Sequence, residues 1–423
     1  MVRASLWLGL VTACGFSPAL GGDGVDAPDP LGDCTTWHPH DFTPCAIGVP
    51  QGPVHLVPDG TPYVYDTSQD GGVLTDKTGA EVLRSPLTHT QSDGSVVALL
   101  SIESLTIDAN VRWNVIGTKP LVVASWSTID IAGALDVGSH TTDTDATTHI
   151  QVSTTVGAGA DVDCGNMNGA PGVAATADGG SGGGGGGAFQ GAGGGGGSGD
   201  TGCNAMLPCP RPGGPGGVPL ATAPTTIRGG CGGGASGTAG DGATAPATAA
   251  TVSQGGSGGG ALELDARLAV HVAATGTVSA GGGGGAGAPM HTAAGGGGGG
   301  SGGFVGLDAP IVMVFGTVAA NGGGGGASSP FTGGIGYGFP GADGAASATP
   351  AAGGLAAQPP ATCGKPGADG SAGAMLAGAM LTAFDSCGGS GAGGGAGFIL
   401  YWSAAYQPAA GSTVSPDALA GVL

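Results

Sequence analysis

A strand-like run that ends in Gly-Thr-Val and passes straight into a block of glycines occurs twice in the second half of the chain. Leu264-Asp265-Ala266 recurs as Leu307-Asp308-Ala309, and Gly276-Thr277-Val278 recurs as Gly316-Thr317-Val318. Glycine blocks Gly281 to Gly285 and Gly322 to Gly326 follow within three or four residues of each copy. A repeat of roughly 40 residues, half apolar strand and half glycine, describes one supersecondary unit stacked on its own copies. Helix is disfavoured, because Gly is a poor helix former and no long 3.6-residue period follows the N-terminus.

The spacing of the glycines matters because their number alone points elsewhere. Gly makes up 98 and Pro 29 of the 423 residues, a content that by itself suggests disorder. Glycine clustered at a fixed place relative to recurring apolar runs argues instead for an ordered repeat scaffold. The expected class is all-β, a right-handed parallel β-helix or solenoid. Lys and Arg number 9 against 29 Asp and Glu, a net charge of −20. Such a surface has nothing to neutralise a run of phosphates, so nucleic acid is not expected as a partner.

Residues 1–13, a short basic start followed by an apolar run, read as a signal peptide too short to span a bilayer. Val11-Thr12-Ala13-Cys14 resembles a lipobox, which makes Cys14 the expected lipidation site and a lipid anchor the expected membrane contact. Residues 14–33, rich in Gly, Pro and Asp, then form a flexible tether. Eight further cysteines remain: Cys34, Cys45, Cys164, Cys203, Cys209, Cys231, Cys363 and Cys387. An even number in an exported chain implies disulfides. Sequence proximity favours Cys34–Cys45, Cys203–Cys209 and Cys363–Cys387, leaving Cys164–Cys231. No Cys/His set has zinc spacing.

Residues 34–85 are expected to form an N-terminal cap around Trp37, Phe42, Val54, Leu56, Tyr63 and Tyr65, and 86–423 the glycine-rich solenoid. Short alternating segments such as Thr128-Ile-Asp-Ile-Ala132 and Ala134-Leu-Asp-Val137 put apolar side chains inside and polar ones outside. The two-residue hairpin turns Asn-Gly and Asp-Gly are missing between them, which favours coils over hairpins. Pro- and Ala-rich stretches at 204–225, 243–250 and 340–362 read as projecting loops, and Tyr401, Trp402 and Tyr406 as the closure of the far end. For the glycine blocks two arrangements fit. They are soft linkers, or they lie side by side as polyproline-II-like strands bonded through their backbones.

Lys119 to Val137 and the G-T-V rungs resemble a group of glycine-rich bacterial exported proteins, often lipoproteins with pectin-lyase-like rungs. The resemblance implies the β-helical fold and the surface location, and carries no agreed activity or catalytic set.

Function follows less directly. Asp265 and Asp308 fall at one rung position and could stack as a ladder, while Asp130 and Asp136 face outward; solvated Asp keeping an apolar scaffold soluble is the simpler account. Lys119, Arg112, Arg228 and Arg267 are the basic residues available to a lyase-type site. Two sets have metal-ligand chemistry, His140 with Asp143, Asp145 and His149, and His38-Pro-His40-Asp41; each also reads as a polar turn, so no metal and no cofactor is assigned. Thr128, Thr277 and Thr317 could line one binding face. The reading this leaves is a structural or adhesive cell-surface lipoprotein without catalytic activity. The alternative is a polysaccharide-binding or polysaccharide-degrading β-helix.

Overall fold

The computed structural model describes residues 34–421, apart from 71, 77, 85–86, 144–150, 176–178, 200–210, 239–251, 290–292, 330–335, 357–363 and 382–387. Cys14, Cys203, Cys209, Cys363 and Cys387 therefore lie outside the described residues, as do Asp145 and His149.

The architecture is all-β and solenoid-like. Three sheets are visited in turn, and a strand of each pairs in parallel with the strand above it. In the first sheet Val96–Ile102, Leu121–Ser125, Ala261–Ala266, Phe304–Asp308 and Phe398–Trp402 stack in that order. The second holds Leu105–Ile107, Thr128–Ile131, Ala269–Val272, Ile311–Val314 and Ala405–Pro408. Its counterpart on the third side runs Arg112–Ile116, Ala134–Asp136, Thr277–Ser279, Thr317–Ala319 and Thr413–Ser415.

The period-2 alternation fixes what faces inward. Leu100, Val123, Leu264 and Leu307 form one register ladder, and Ile129, Val270 and Val312 another; Trp113, Leu135, Val278 and Val318 form the third. All are essentially without solvent exposure. A one-residue slip would turn each ladder to the outside, so burial specifies the register.

The strands Val54–Leu56 and Tyr63–Asp66, within the expected N-terminal cap of 34–85, pair with Leu105–Ile107 and Arg112–Ile116. They are the first turn of the same sheets, because their alternation matches the coils above. Thr128 does not share a row with Thr277 and Thr317. It belongs to the second sheet, whereas Thr277, Thr317 and Thr413 align on the third.

The glycine blocks all leave from one corner, between the third sheet and the first: at 137–260, 280–303 and 320–397. Insertions at one corner of stacked coils must lie over one another, and here they merge into a second layer. Gly182–Gly187 shows how it is held. Gly184 and Gly187 donate to the carbonyls of Gly296 and Gly299, Gly183 and Gly186 to Gly197 and Gly194, and Gly182 and Gly185 to Val173 and Ala170. Its carbonyls accept from Gly214 and Gly217, from Gly234 and Gly237, and from Ala392 and Gly395. One extended segment thus bonds to six neighbours, changing partner with a period of three.

Only glycine permits this spacing. A β-carbon on Gly184 would overlap the Gly234 carbonyl, and one on Gly298 the Gly185 carbonyl. The stretches 211–217, 340–344 and 351–354, expected as projecting loops, are hydrogen-bonded segments of this layer. Gly341 and Gly354, for example, donate to Gly285 and Gly325. Pro212, Pro215 and Pro340 have no N–H to donate within the layer.

A second apolar core joins the parts. The outer face of the first sheet carries Val97, Leu99, Val122, Ala261, Phe304, Phe398 and Trp402, and it is covered by Trp37, Phe42 and Ile47 and by Met167, Phe189 and Ile227. Cys34–Cys45 closes the N-terminal segment, and Cys164–Cys231 ties two glycine-layer segments together. Tyr401 and Tyr406 stack at 4.0 Å on the far coil, while Trp402 points outward to this second core.

Candidate functional site

Two titratable clusters stand out among the described residues, one beneath the N-terminal segment and one at the corner where coils and glycine layer meet.

The first is built from the strand Ala261–Ala266. Its alternation sends Leu262 and Leu264 into the coil core and Glu263 and Asp265 to the outer face. Parallel register sets Asp265 beside Asp308, and Glu263 beside Gly306. A β-carbon at Gly306 would lie 3.0 Å from Glu263 Cγ, so glycine there gives the carboxyl its space. Flanking positions in the same rows are Val122 and Ala124 on one side and Leu400 and Trp402 on the other. The expected Asp ladder is present, but it is not solvated: Glu263 and Asp265 are both 0% exposed.

The N-terminal segment closes over these acids. His40 stacks on Trp402 at 4.5 Å, its backbone N–H donates to Asp308 Oδ2 at 2.7 Å, and its ring Nδ1 lies 3.1 Å from Asp41 Oδ1. His40, Asp41 and Glu263 bring potential ligand atoms within 4.8 Å of one another, as do Glu263, Asp265 and Asp308. Of the set His38-Pro-His40-Asp41, two members thus meet three acids from the coils, and His38 is not among them. Glu263 escaped the sequence reading. The signal was available, since Glu occurs only at positions 81, 103 and 263 and this one alternates with buried leucines.

Electrostatics follow from the geometry. Burial, then Asp265 and Asp41, raises the Glu263 carboxyl well above the usual range, and burial with Asp308 and Asp41 does the same for Asp265. Burial lifts Asp308 to about 6. Burial also pushes Asp41 upward, but hydrogen bonding with His40 and Glu263 outweighs it and leaves Asp41 low. The hydrogen bond with Asp41 raises the His40 imidazole. Two like charges about 5 Å apart cost about 3 kcal/mol at an effective dielectric near 20, so four carboxylates facing one imidazole do not coexist ionised without a further counter-charge.

The second cluster centres on His140. Nε2 lies 3.0 Å from Asp136 Oδ2, on the third sheet, and Nδ1 3.3 Å from Asp343 Oδ2, in the glycine layer. Asp343 also accepts from the backbone of Thr141 and Gly284. The two carboxylates raise the imidazole to about 10. Arg112, Thr277 and Ser279 line the same cleft, of about 740 Å³. His140 thus finds partners other than those grouped with it by sequence; the Asp143 side chain, Asp145 and His149 are outside the described residues. Nothing in the sequence marked Asp343, which reaches His140 only because the layer folds back over the coils.

The remaining basic residues are spread out. Lys119 Nζ bonds the Gln69 carbonyl, Arg228 the carbonyls of Val162 and Asp163, and Arg267 the Thr36 hydroxyl. Asp130 faces outward and lies 3.4 Å from His271 Nδ1. No helix among the described residues is long and apolar enough to cross a membrane.

The chain matches no protein-family model, no curated protein and no solved structure.

Proposed function

We propose that the protein is an exported lipoprotein, anchored through Cys14, whose folded part is a rigid, non-catalytic structural or adhesive module at the cell surface. In this reading the coils are a right-handed parallel β-helix of the kind seen in the glycine-rich exported proteins that the sequence resembles, and the glycine segments are polyproline-II strands. The observation that carries it is the glycine layer. Its backbone groups are satisfied by neighbouring strands on every side, as at Gly182–Gly187, which makes a stiff block rather than a linker.

Two features support the absence of catalysis. His140, with a pKa of about 10, stays protonated near neutral pH and cannot serve there as a base. Glu263 and Asp265 are covered by the N-terminal segment and out of reach of a polymer. The disulfides suit an oxidising, extracytoplasmic compartment.

Hydrogen exchange on the purified chain tests the block: amides of 281–289 and 293–300 should exchange as slowly as those of 262–265, and random-coil rates would refute it. Incubation with pectin, alginate and related polyanions should give no cleavage, whereas any turnover would refute the non-catalytic reading.

One observation favours a saccharide ligand. The cleft of about 740 Å³ beside the Thr277, Thr317 and Thr413 row is lined by Arg112, Asp136, His140 and Asp343, groups that can pair with hydroxyls. Glycan-array binding lost in Arg112→Ala would support an adhesive role through this cleft, and binding unchanged in that variant would place the contact elsewhere.

A further inference from the structure

We propose that Glu263, Asp265 and Asp308, with Asp41 from the N-terminal segment, form a calcium site that latches this segment onto the outer face of the first sheet.

The two innermost acids, Glu263 and Asp265, lack donors. Both side chains are fully buried and aimed into the cluster, and none of their four carboxylate oxygens meets a hydrogen-bond donor. The polar groups that reach them are other carboxyls, Asp41 to Glu263 and Glu263 to Asp265, contacts that bond only when one partner carries a proton. Buried polar groups are otherwise almost always satisfied. Acids from one sheet and one loop converge on a volume framed by apolar neighbours, and a bound cation would satisfy every oxygen at once.

The chemistry selects the cation. The donors of the inner triad are all carboxylate oxygens, which suit a hard ion rather than zinc or copper. His40 Nδ1 is already held 3.1 Å from Asp41, so nitrogen is not the principal donor. Oxygens on opposite sides of a calcium ion stand about 4.6–5.2 Å apart, whereas magnesium needs about 4.2 Å and near-octahedral geometry. The donor atoms of Glu263, Asp265 and Asp308 lie no more than 4.8 Å apart, inside the span of a calcium shell, and calcium's tolerance of irregular all-carboxylate geometry favours it over magnesium.

The consequence lies in what the site joins. Asp41 and His40 sit in the loop closed by Cys34–Cys45, and the other ligands in two coils of the solenoid. Calcium would therefore fasten the segment through which the chain meets residues 14–33. That these residues are a membrane tether rests on the function proposed above; the site itself does not.

The test uses the purified chain, stripped with EDTA and titrated with calcium. Calorimetry should show one saturable site with a Kd of about 1 mM or tighter, and the melting temperature should rise with calcium concentration. Magnesium should give the smaller rise. Substituting both Glu263→Gln and Asp265→Asn should weaken calcium at least 100-fold, while near-UV circular dichroism reports an intact fold. If that double variant does not fold, the half-buried Asp308→Asn is expected to weaken calcium about tenfold. Absence of saturable calcium binding by the unmodified chain would overturn the proposal and leave proton sharing among the acids as the explanation. Retained affinity in the folded double variant, or unchanged affinity in Asp308→Asn, would overturn it too, and tighter magnesium binding would overturn the choice of ion. Localisation of a Cys14→Ala variant is a separate measurement, so the tether can fail while the site stands.

Discussion

The coils and the glycine layer belong to one chain and meet the same requirement, a bond for every buried backbone group, by opposite means. In the coils the strands stand a sheet spacing apart, and side chains such as Leu264, Val270 and Val278 fill the interior. In the layer the strands approach until backbone touches backbone, and stability comes from hydrogen bonds in several directions plus close atomic contact. Ordering glycine costs about 1–2 kcal/mol of backbone entropy per residue, so the layer needs nearly all its bonds at once. It also needs a template, which the stacked coils provide by releasing every insertion at one corner.

The difference predicts where each half breaks. The largest effect should come from removing Cys164–Cys231, which spans 67 residues. The layer has few side chains to confine its unfolded state, and loop-closure entropy over that separation is about 4 kcal/mol. Urea melts of the Cys164→Ser/Cys231→Ser variant should show this loss. The Cys34–Cys45 pair, spanning 11 residues, should cost about 3 kcal/mol. Equal costs would mean that the layer is already constrained when unfolded.

A sharper contrast pairs Leu264→Ala with Gly298→Ala. The first removes carbon from the coil core and should cost about 3 kcal/mol. The second adds one methyl group, yet it should cost about as much. Gly298 donates to Gly234 and accepts from Gly256, and the added carbon would overlap the Gly185 carbonyl. A Gly298→Ala chain as stable as the parent would show that the layer can spread, and the comparison would fail.

How far the sequence reveals all this depends on the same distinction. The coils were legible because side chains carry a period: Leu-Asp-Ala and Gly-Thr-Val align the rungs, and alternation points Asp265 outward. Glycine carries no such record. Whether Gly281 to Gly285 is a spacer or a strand cannot be read from residues without side chains, and the three directions of bonding appear only once six segments are assembled. The acid cluster falls between these cases. Asp265 and Asp308 were visible as a repeat, but their burial depends on a loop more than two hundred residues earlier in the chain, closed by Cys34–Cys45 and bringing His40 and Asp41. Asp343 had no sequence signal, since its partner His140 belongs to a different coil insertion.

That Asp136–His140–Asp343 contact is a polar junction between the halves, beside the apolar one, and pH probes it. The His140 pKa in the folded chain, about 10, lies above its ordinary value of 6.5. The stabilisation is therefore fully present below pH 6.5 and is lost as pH rises through 10. The ring is 42% exposed, and solvent screening limits the contribution to about 1–2 kcal/mol. Thermal melts from pH 6.5 to 10 should fall more steeply for the parent than for His140→Ala. Parallel pH profiles would mean that the ion triad does not hold the layer to the coils.

The smallest expected effect is the most discriminating. Gly195 lies in the same layer and in the run Gly193 to Gly197, but a β-carbon built on it meets nothing within 4 Å. Its neighbours are enclosed: a carbon on Gly194 would overlap the Ala379 carbonyl, and one on Gly193 the Gly186 carbonyl. If close backbone approach is the reason for glycine, Gly195→Ala should change stability by less than about 0.5 kcal/mol and Gly194→Ala by about 3 kcal/mol. Were glycine needed instead for conformational freedom or composition, adjacent positions would respond alike. A chemical melt of these two single variants separates the accounts, because the substitutions are chemically identical and differ only in what stands opposite the new methyl group.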